Sequence, residues 1–454
     1  MHLPMTTRPP GRFPLPLTFF VVLTACGGES GPPRIDTIEL EIGGPIAVIG
    51  ENLTLTGFGL DGDTVITIGG VAAPVLEANR SSAVVRVPPG TSAGTALVVA
   101  TRDGSASNPL LLQVRRLAYT ANFTDLTLSV LSVEGLAVQK IFDIPVDVPP
   151  GPFAVAFTPD GRRAVVACSI AFLPESIVDT LAPGAPAGDS VAIVDVIHSQ
   201  VIGVIATGTA SKPTGVAVSP DGSTAWVTNY GPSTISVIDV DAIELVGEIA
   251  VPRQPEEVAV SADGSLLLVN SDGGTVSTIS VASSRLGTVE TGGNDPSGVA
   301  FSPDARTGYA TNSYVDSTLG EDGTLTVLDL SNPAAPRVGA TVAAGIGPTP
   351  YDVDVAPGGD LAVVTNLNVV FDPIRIGAGS ISLVDLTTAP PQVVATLPVG
   401  VGPIHAAITE GGRVALVGNG LSGTVSIVDL EARAVTGAVA LDIPIGPADV
   451  AVQP

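Results

Sequence analysis

The chain has 454 residues, rich in Gly (52) and Pro (40), and its 44 acids against 19 Lys and Arg give a formal charge of −25. So acidic a surface repels phosphate backbones, which argues against nucleic acid as a partner. Mean hydropathy is high at +0.48, a value that short strands buried on both faces account for, because the one apolar run, Phe13 to Ala25, is well short of the roughly 20 residues a membrane-spanning helix needs.

That run belongs to an N-terminal targeting pattern. Arg8 and Arg12 form a positive region, Leu15 to Leu23 an apolar core, and Leu23-Thr24-Ala25-Cys26 a cleavage site. Leu-Thr-Ala-Cys resembles the lipobox of bacterial lipoproteins. The resemblance implies a signal peptide over 1–25, with Cys26 as the lipid attachment site. Because Gly27 rather than Asp follows, it also implies sorting to the outer membrane, facing the periplasm or the exterior. Residues 26–34 read as a short tether. Cys168 is the other cysteine, so a lipidated Cys26 leaves no intramolecular disulfide, and Cys168 is expected to be a buried, inert thiol.

Residues 35–116 alternate short apolar strands with turn residues every 8–12 positions, the rhythm of a β-sandwich. Ile49-Gly50-Glu51-Asn52-Leu53, Val65 to Gly70, Val87-Pro88-Pro89-Gly90, Gly94 and the stretch Ala96 to Gly104 follow in that order. Together they resemble the IPT/TIG immunoglobulin-like domain, which implies a sandwich fold for this segment.

From Leu117 the rhythm changes. Stretches opening on a proline recur at Pro152 (PFAVAFTPDG), Pro213, Pro255, Pro296, Pro350, Pro403 and Pro447, at spacings of 61, 42, 41, 54, 53 and 44 residues. Each reads as four strands. In Pro213 to Val251 the first is Thr214 to Ser219, turned by Pro220-Asp221-Gly222, and the others are Thr224 to Thr228, Thr234 to Asp239 and Leu245 to Val251. The wording of Ala225 to Val240, with Tyr309 to Asn312, Val363 to Asn366 and Leu416 to Asn419, resembles the YVTN-family β-propeller repeat of cell-surface proteins. The seventh copy stops at Pro454, and its complement stands at Ala118 to Lys140. The expected fold is therefore all-β: an immunoglobulin-like sandwich followed, over 117–454, by a seven-bladed β-propeller closed by pairing of its N- and C-terminal strands.

Catalytic raw material is scarce. His2, His198 and His405 are the only histidines, and no HExxH, GxSxG, Walker or CxxC motif occurs. The second residue after each repeat proline should stand near the channel mouth, giving Ala154, Gly215, Glu257, Gly298, Asp352, His405 and Asp449. Glu257, Asp352, His405 and Asp449 are candidate ligands for a substrate or for a divalent cation such as Ca²⁺, Mn²⁺ or Zn²⁺. Polar residues at a wet mouth need no ligand, so both readings stand. No other cofactor is expected.

The recurring Asn122, Asn229, Asn270, Asn312, Asn366 and Asn419, each closing a second strand, read as structural Asx-type turns. Asp195, Asp239, Asp329, Asp385 and Asp429 close third strands in the same way. Cys168 stands where sibling repeats carry Thr228, Thr311 and Thr365. Asymmetry lies in three lengthened connections, 169–189, 313–322 and 367–378. They carry Phe172, Glu175, Tyr314, Asp316, Asp322, Phe371 and Asp372 as candidate partner contacts. The sequence thus points to a lipid-anchored envelope protein, non-catalytic, contacting an envelope protein or glycan through the insertion-bearing face. The alternative is a metal-dependent hydrolase of lactonase-like type working at the channel mouth.

Overall fold

The computed structural model describes residues 32–146, 151–169, 189–208, 210–293, 296–313, 323–343, 345–371, 374–443 and 445–454. Two sheets face each other in the N-terminal part. One holds Arg34–Leu40, Asn52–Phe58, Ser82–Arg86 and Val75–Asn79, and the other is built on Gly94–Arg102 paired with Val65–Ile68 and Leu110–Asn122. Alternation sets the core. Leu53 and Leu55, Ala83 and Val85, Ile66 and Ile68, and Val98 and Ala100 all turn inward, while their neighbours point out.

Six separate four-stranded antiparallel sheets follow, each in simple sequence order. Their innermost strands are Pro152–Phe157, Pro213–Val218, Val258–Val260, Pro296–Phe301, Pro350–Val355 and Pro403–Ile408. Second and third strands are buried almost throughout, as in Arg163–Cys168 and Asp189–Asp195. They pack on both faces. Ala154, Val165, Ala167, Val191 and Ile193 of the first sheet, for instance, share one core with Ala225, Val227 and Ile238 of the second. Small β-branched and Ala side chains suit this two-sided packing, and they carry the high hydropathy.

The expectation of a closed seven-bladed propeller is corrected here. No seventh four-stranded sheet stands apart among the described residues. The strands expected to form it, Thr127–Glu134, Ala137–Pro145, Asp449–Val452 and the second half of Leu110–Asn122, belong instead to a nine-stranded sheet shared with the sandwich. The reason is one uninterrupted strand. Leu110–Asn122 runs 13 residues without Gly or Pro, so nothing breaks it where the sequence rhythm changes at 116/117. Its first half gives Leu112 and Val114 to the sandwich core, and its second half gives Tyr119 and Ala121 to the next. Asp449–Val452 lies antiparallel along that second half, with Ala118 opposite Val452 and Thr120 opposite Val450.

One side chain makes three bonds across this junction. Gln453 is fully buried; its Oε1 accepts from Leu117 N–H at 3.1 Å, and its Nε2 donates to Ile49 O at 2.7 Å and Gly161 O at 2.8 Å. Arg162 donates to Gly50 O at 2.6 Å and pairs with Glu41 at 3.2 Å, while Arg116 meets Glu410 at 3.2 Å.

The repeated polar residues are structural, but two sequence registers shift by one. Asn229 Nδ2 donates to Thr234 and Ser236 hydroxyls on the neighbouring strand, and Asn122, Asn312, Asn366 and Asn419 do the same in their sheets. These are cross-strand bonds rather than Asx turns. The Asx turns fall to the acids: Asp239 accepts from the N–H groups of Asp241 and Ala242, and Asp429 from those of Glu431 and Ala432. Cys168 closes its strand at the place of Asn229, not Thr228. Its thiol is buried and free, and burial pushes its pKa up to about 12. Asn270, one residue earlier in its strand than Asn229, occupies the Thr228 place.

Candidate functional site: a two-tiered cavity between the inner strands

The inner strands surround a cavity in two tiers. The lower tier is a pocket of about 160 Å³ that takes in all four predicted residues, Glu257, Asp352, His405 and Asp449, together with Asp354. Although they come from separate sheets, the structure brings them together. His405 Nδ1 lies 3.6 Å from Asp352 Oδ2 and 3.8 Å from Asp449 Oδ1, with 13% of its side chain exposed.

The acids have structural work. An innermost strand leaves N–H groups on its cavity edge without a ladder partner, and a buried donor must find one. Asp352 Oδ2 accepts from Ala406 N–H at 2.9 Å, Asp354 Oδ2 from Ile408 N–H at 2.7 Å, and Asp449 Oδ2 from Val155 N–H at 2.7 Å. Each bond reaches from one sheet to the next. Where the equivalent residue is Gly298, the next strand comes so close that a Cβ would lie 2.6 Å from Asp352 Cα. Hydroxyls complete the stitching: Thr311 accepts from Gly298 N–H and donates to Tyr351 O, and Thr365 does likewise with Asp352 N–H and Ile404 O. Asn270 serves the third sheet, accepting from Glu257 N–H at 2.6 Å.

Burial and mutual charge set the protonation. Burial pushes Glu257 up to about 8; His405 opposes that rise, while Asp352 and Asp449 add to it. Burial likewise lifts Asp354 to about 7, against the bond from Ile408 N–H. Asp449 is also raised by burial, with His405 opposing. For His405 burial works against the charge, but the carboxylates of Asp449 and Asp352 outweigh it and raise the pKa to about 10. At neutral pH the tier therefore holds an imidazolium, His405, set between Asp352 and Asp449. Among the described residues no group of three or more His, Cys, Asp or Glu side chains is arranged to hold a metal ion. All three candidate carboxylates, Glu257, Asp352 and Asp449, already serve main-chain donors, so the donor set fits a charge clasp better than a coordination shell.

The upper tier is wider, about 630 Å³, and sequence reasoning missed its lining by one position. The residue directly after the repeat proline faces it, not the second: Phe153, Glu256, Ser297, Tyr351, Ile404 and Ala448. Around these stand residues that follow the second strands, including Phe123, Tyr230, Asp272 and Leu421. Stepping one residue from each proline would have found the inner set. Phe123 and Phe153 meet edge-to-face at 6.5 Å, and the Tyr351 ring stands at 83° to His405 with centroids 5.8 Å apart, linking the tiers.

Of the predicted partner contacts, Phe172, Glu175, Tyr314, Asp316, Asp322 and Asp372 lie outside the described residues, as does Cys26. Phe371 ends a short strand, Val369–Phe371, paired with Ile374–Ile376. Two of the three insertions spring from the rim of the upper tier, at Ser313 and Leu367.

Residues 33–114 match the IPT/TIG domain family. No curated protein matches the chain. Among solved structures, the Kuenenia stuttgartiensis hydrazine synthase is 21% identical, with a TM-score of 0.56 over 67% of this chain and 90% of its own. A functionally unknown protein from Desulfotomaculum acetoxidans is 15% identical (TM-score 0.58, 74% and 98% covered). A putative 6-phosphogluconolactonase from Bacteroides uniformis is 13% identical (TM-score 0.57, 74% and 99% covered). At such identities the likeness is one of fold. Together these findings correct the expected seven-bladed repeat protein: the chain has an N-terminal IPT/TIG-like domain followed by a propeller-like region of six four-stranded blades.

Proposed function

We propose that the protein is a non-catalytic binding protein of the cell envelope, held to the outer membrane by lipid on Cys26, that receives its ligand in the upper tier of the cavity. The observation that carries this reading is the cavity's asymmetry. Repeats place equivalent residues in every sheet, yet the upper tier departs from that symmetry with aromatic and aliphatic residues on one side and acids and hydroxyls on the other. Concave, largely apolar sites with a few placed polar groups are the usual form of a small-ligand pocket. Ser313 and Leu367, at which two of the lengthened connections begin, stand on the same rim.

Leu421 is 41% exposed on that rim, so Leu421→Arg should block the pocket without disturbing a core. Molecules recovered with wild-type and Leu421→Arg protein from envelope extracts would be compared by mass spectrometry. The reading expects loss of specific species in the variant, and equal recoveries would sink it. Lipid attachment is tested separately by labelled palmitate, which wild type should incorporate and Cys26→Ser should not.

The hydrolytic reading keeps one support, an imidazole beside carboxylates at the base of an open cavity. It requires metal in the purified protein and lactone hydrolysis that disappears in His405→Ala and Asp352→Ala.

A further inference from the structure

The outer face of the N-terminal sandwich points to how the protein stands on its membrane, given the lipid attachment proposed above. In the sheet built on Gly94–Arg102, alternate residues point away from the core. On that outer side Leu97 stands directly opposite Leu111, Val99 opposite Thr67, and Val65 opposite Thr101. Leu97, Val65 and Leu111 are 49%, 55% and 70% exposed, and Leu111 is the most exposed large apolar side chain among the described residues. On the blades such side chains stand among acids, as where exposed Leu245 and Val246 lie between Glu244 and Glu248. Here the other outward positions of these three strands are Thr67, Val99, Thr95, Thr101, Gln113 and Arg115. None is an acid, and the one charge is a cation. Gln113 Nε2 donates to Thr95 at 2.7 Å, so two of the polar groups satisfy each other. The nearest acids in the chain, Asp63 and Asp103, stand in turns at the Val65 end.

The entry of the chain adds a second constraint. Asn108 holds the start of the first strand to the flank of this sheet: its Oδ1 accepts from Ile35 N–H at 3.2 Å and its Nδ2 donates to Ile35 O at 2.9 Å. Asn108 is three residues before Leu111. Cys26 precedes residue 32, the first described, by six residues, at most about 20 Å of extended chain. A lipid there keeps this end of the sandwich close to the bilayer. In a chain with 44 acids against 19 Lys and Arg, a sheet face without carboxylates is the side that lipid phosphates repel least, and its Leu and Val side chains gain by leaving water. We propose that the outer face of this sheet, centred on Leu97 and Leu111, lies against the headgroup layer of the membrane that carries the anchor. The lipid on Cys26 holds the protein at the surface, and the face sets which way it stands.

The test couples the mature chain through the Cys26 thiol to a maleimide-bearing lipid in phosphatidylcholine vesicles, which makes it independent of lipidation in the cell. Cys168 is buried and does not compete. Leu111→Trp is the reporter, and Leu286→Trp, on the outermost strand of the third blade, is the control. The natural Trp226 is buried and gives a constant background. Brominated lipid should quench the reporter's added emission about threefold or more over the control's, as befits a side chain at the headgroup–acyl boundary. Adding Leu97→Asp to the reporter should bring its quenching down to the control's. Equal quenching at both positions, or none at either, overturns the proposal. So does a dimer of the uncoupled chain that Leu97→Asp dissociates, which would give the face to a second copy. Palmitate labelling judges the anchor separately: quenching without labelling keeps the face and removes the anchor, and labelling without quenching does the reverse.

Discussion

His405→Gln is the most exacting test of the lower tier. The substitution keeps bulk and hydrogen-bonding capacity but removes the cation that sits 3.6 Å from Asp352 and 3.8 Å from Asp449, whose side chains are only 9% and 12% exposed. Breaking a buried charge cluster by removing one partner costs about 3–5 kcal/mol, most of it from the charges left uncompensated. At roughly 2–4 °C per kcal/mol for a domain of a couple of hundred residues, Tm should fall by about 6–20 °C at neutral pH. The charges can also be removed together. In the triple variant His405→Gln, Asp352→Asn, Asp449→Asn the amide oxygens can still accept from Ala406 and Val155, and no unpaired charge remains. That protein should regain at least half of the lost Tm. Thermal melts followed by circular dichroism decide the matter. A single variant melting within about 1 °C of wild type, or a triple variant less stable than the single, would refute the clasp.

Three further outcomes follow from the same geometry. Wild-type stability should decline as pH rises: Glu257 and Asp354 are raised to about 8 and about 7, so the folded state resists their ionisation from about pH 4 upward, and the contribution of His405, complete below its unfolded value near 6.5, is lost through about 10. All three terms mean more protons bound when folded, so urea midpoints rising between pH 5 and 9 would contradict the assignment. Gly298→Ala puts a Cβ 2.6 Å from Asp352 Cα and 2.7 Å from Tyr351 O, and a close backbone neighbour cannot swing aside; about 1–3 kcal/mol should be lost, where unchanged chemical denaturation would show that the strands separate freely. Gln453→Ala strands one donor and two acceptors at Leu117, Ile49 and Gly161; a loss of about 1–3 kcal/mol is expected, along with faster amide exchange at Leu117, and an unaltered exchange rate there would count against the lock.

The proline-led repeats were legible because Pro, Asp-Gly turns and Val/Ala runs are local signals. Thr224 to Asp239 folds as two strands almost residue for residue as its pattern implies. The convergence of Glu257, Asp352, His405 and Asp449 was legible too, since repeat position fixes height along an inner strand. What stayed hidden was non-local. Nothing in Leu110 to Asn122 announces that its two halves serve different cores, because a strand's pairing partners are not written in the strand itself. The role of Asp352 as an acceptor for Ala406 N–H depends on how closely two sheets approach. Which of Phe153 and Ala154 faces the wider tier turns on a single residue of register, finer than composition can resolve.

The pairing of Asp449–Val452 with the second half of Leu110–Asn122 also has a consequence in time. During synthesis the inner edge of Ala118 to Ala121 waits for a partner encoded about 330 residues later, which at about 5–20 residues per second is roughly a quarter of a minute to a minute. Throughout that interval the nascent chain carries an unsatisfied strand edge, the kind of surface that recruits other chains. Adjoining Arg115 and Arg116, placed midway along that strand, put charge beside the waiting edge. The protein's hazard is therefore greatest before Asp449–Val452 is made, and a chaperone that covers strand edges would act on it in that interval.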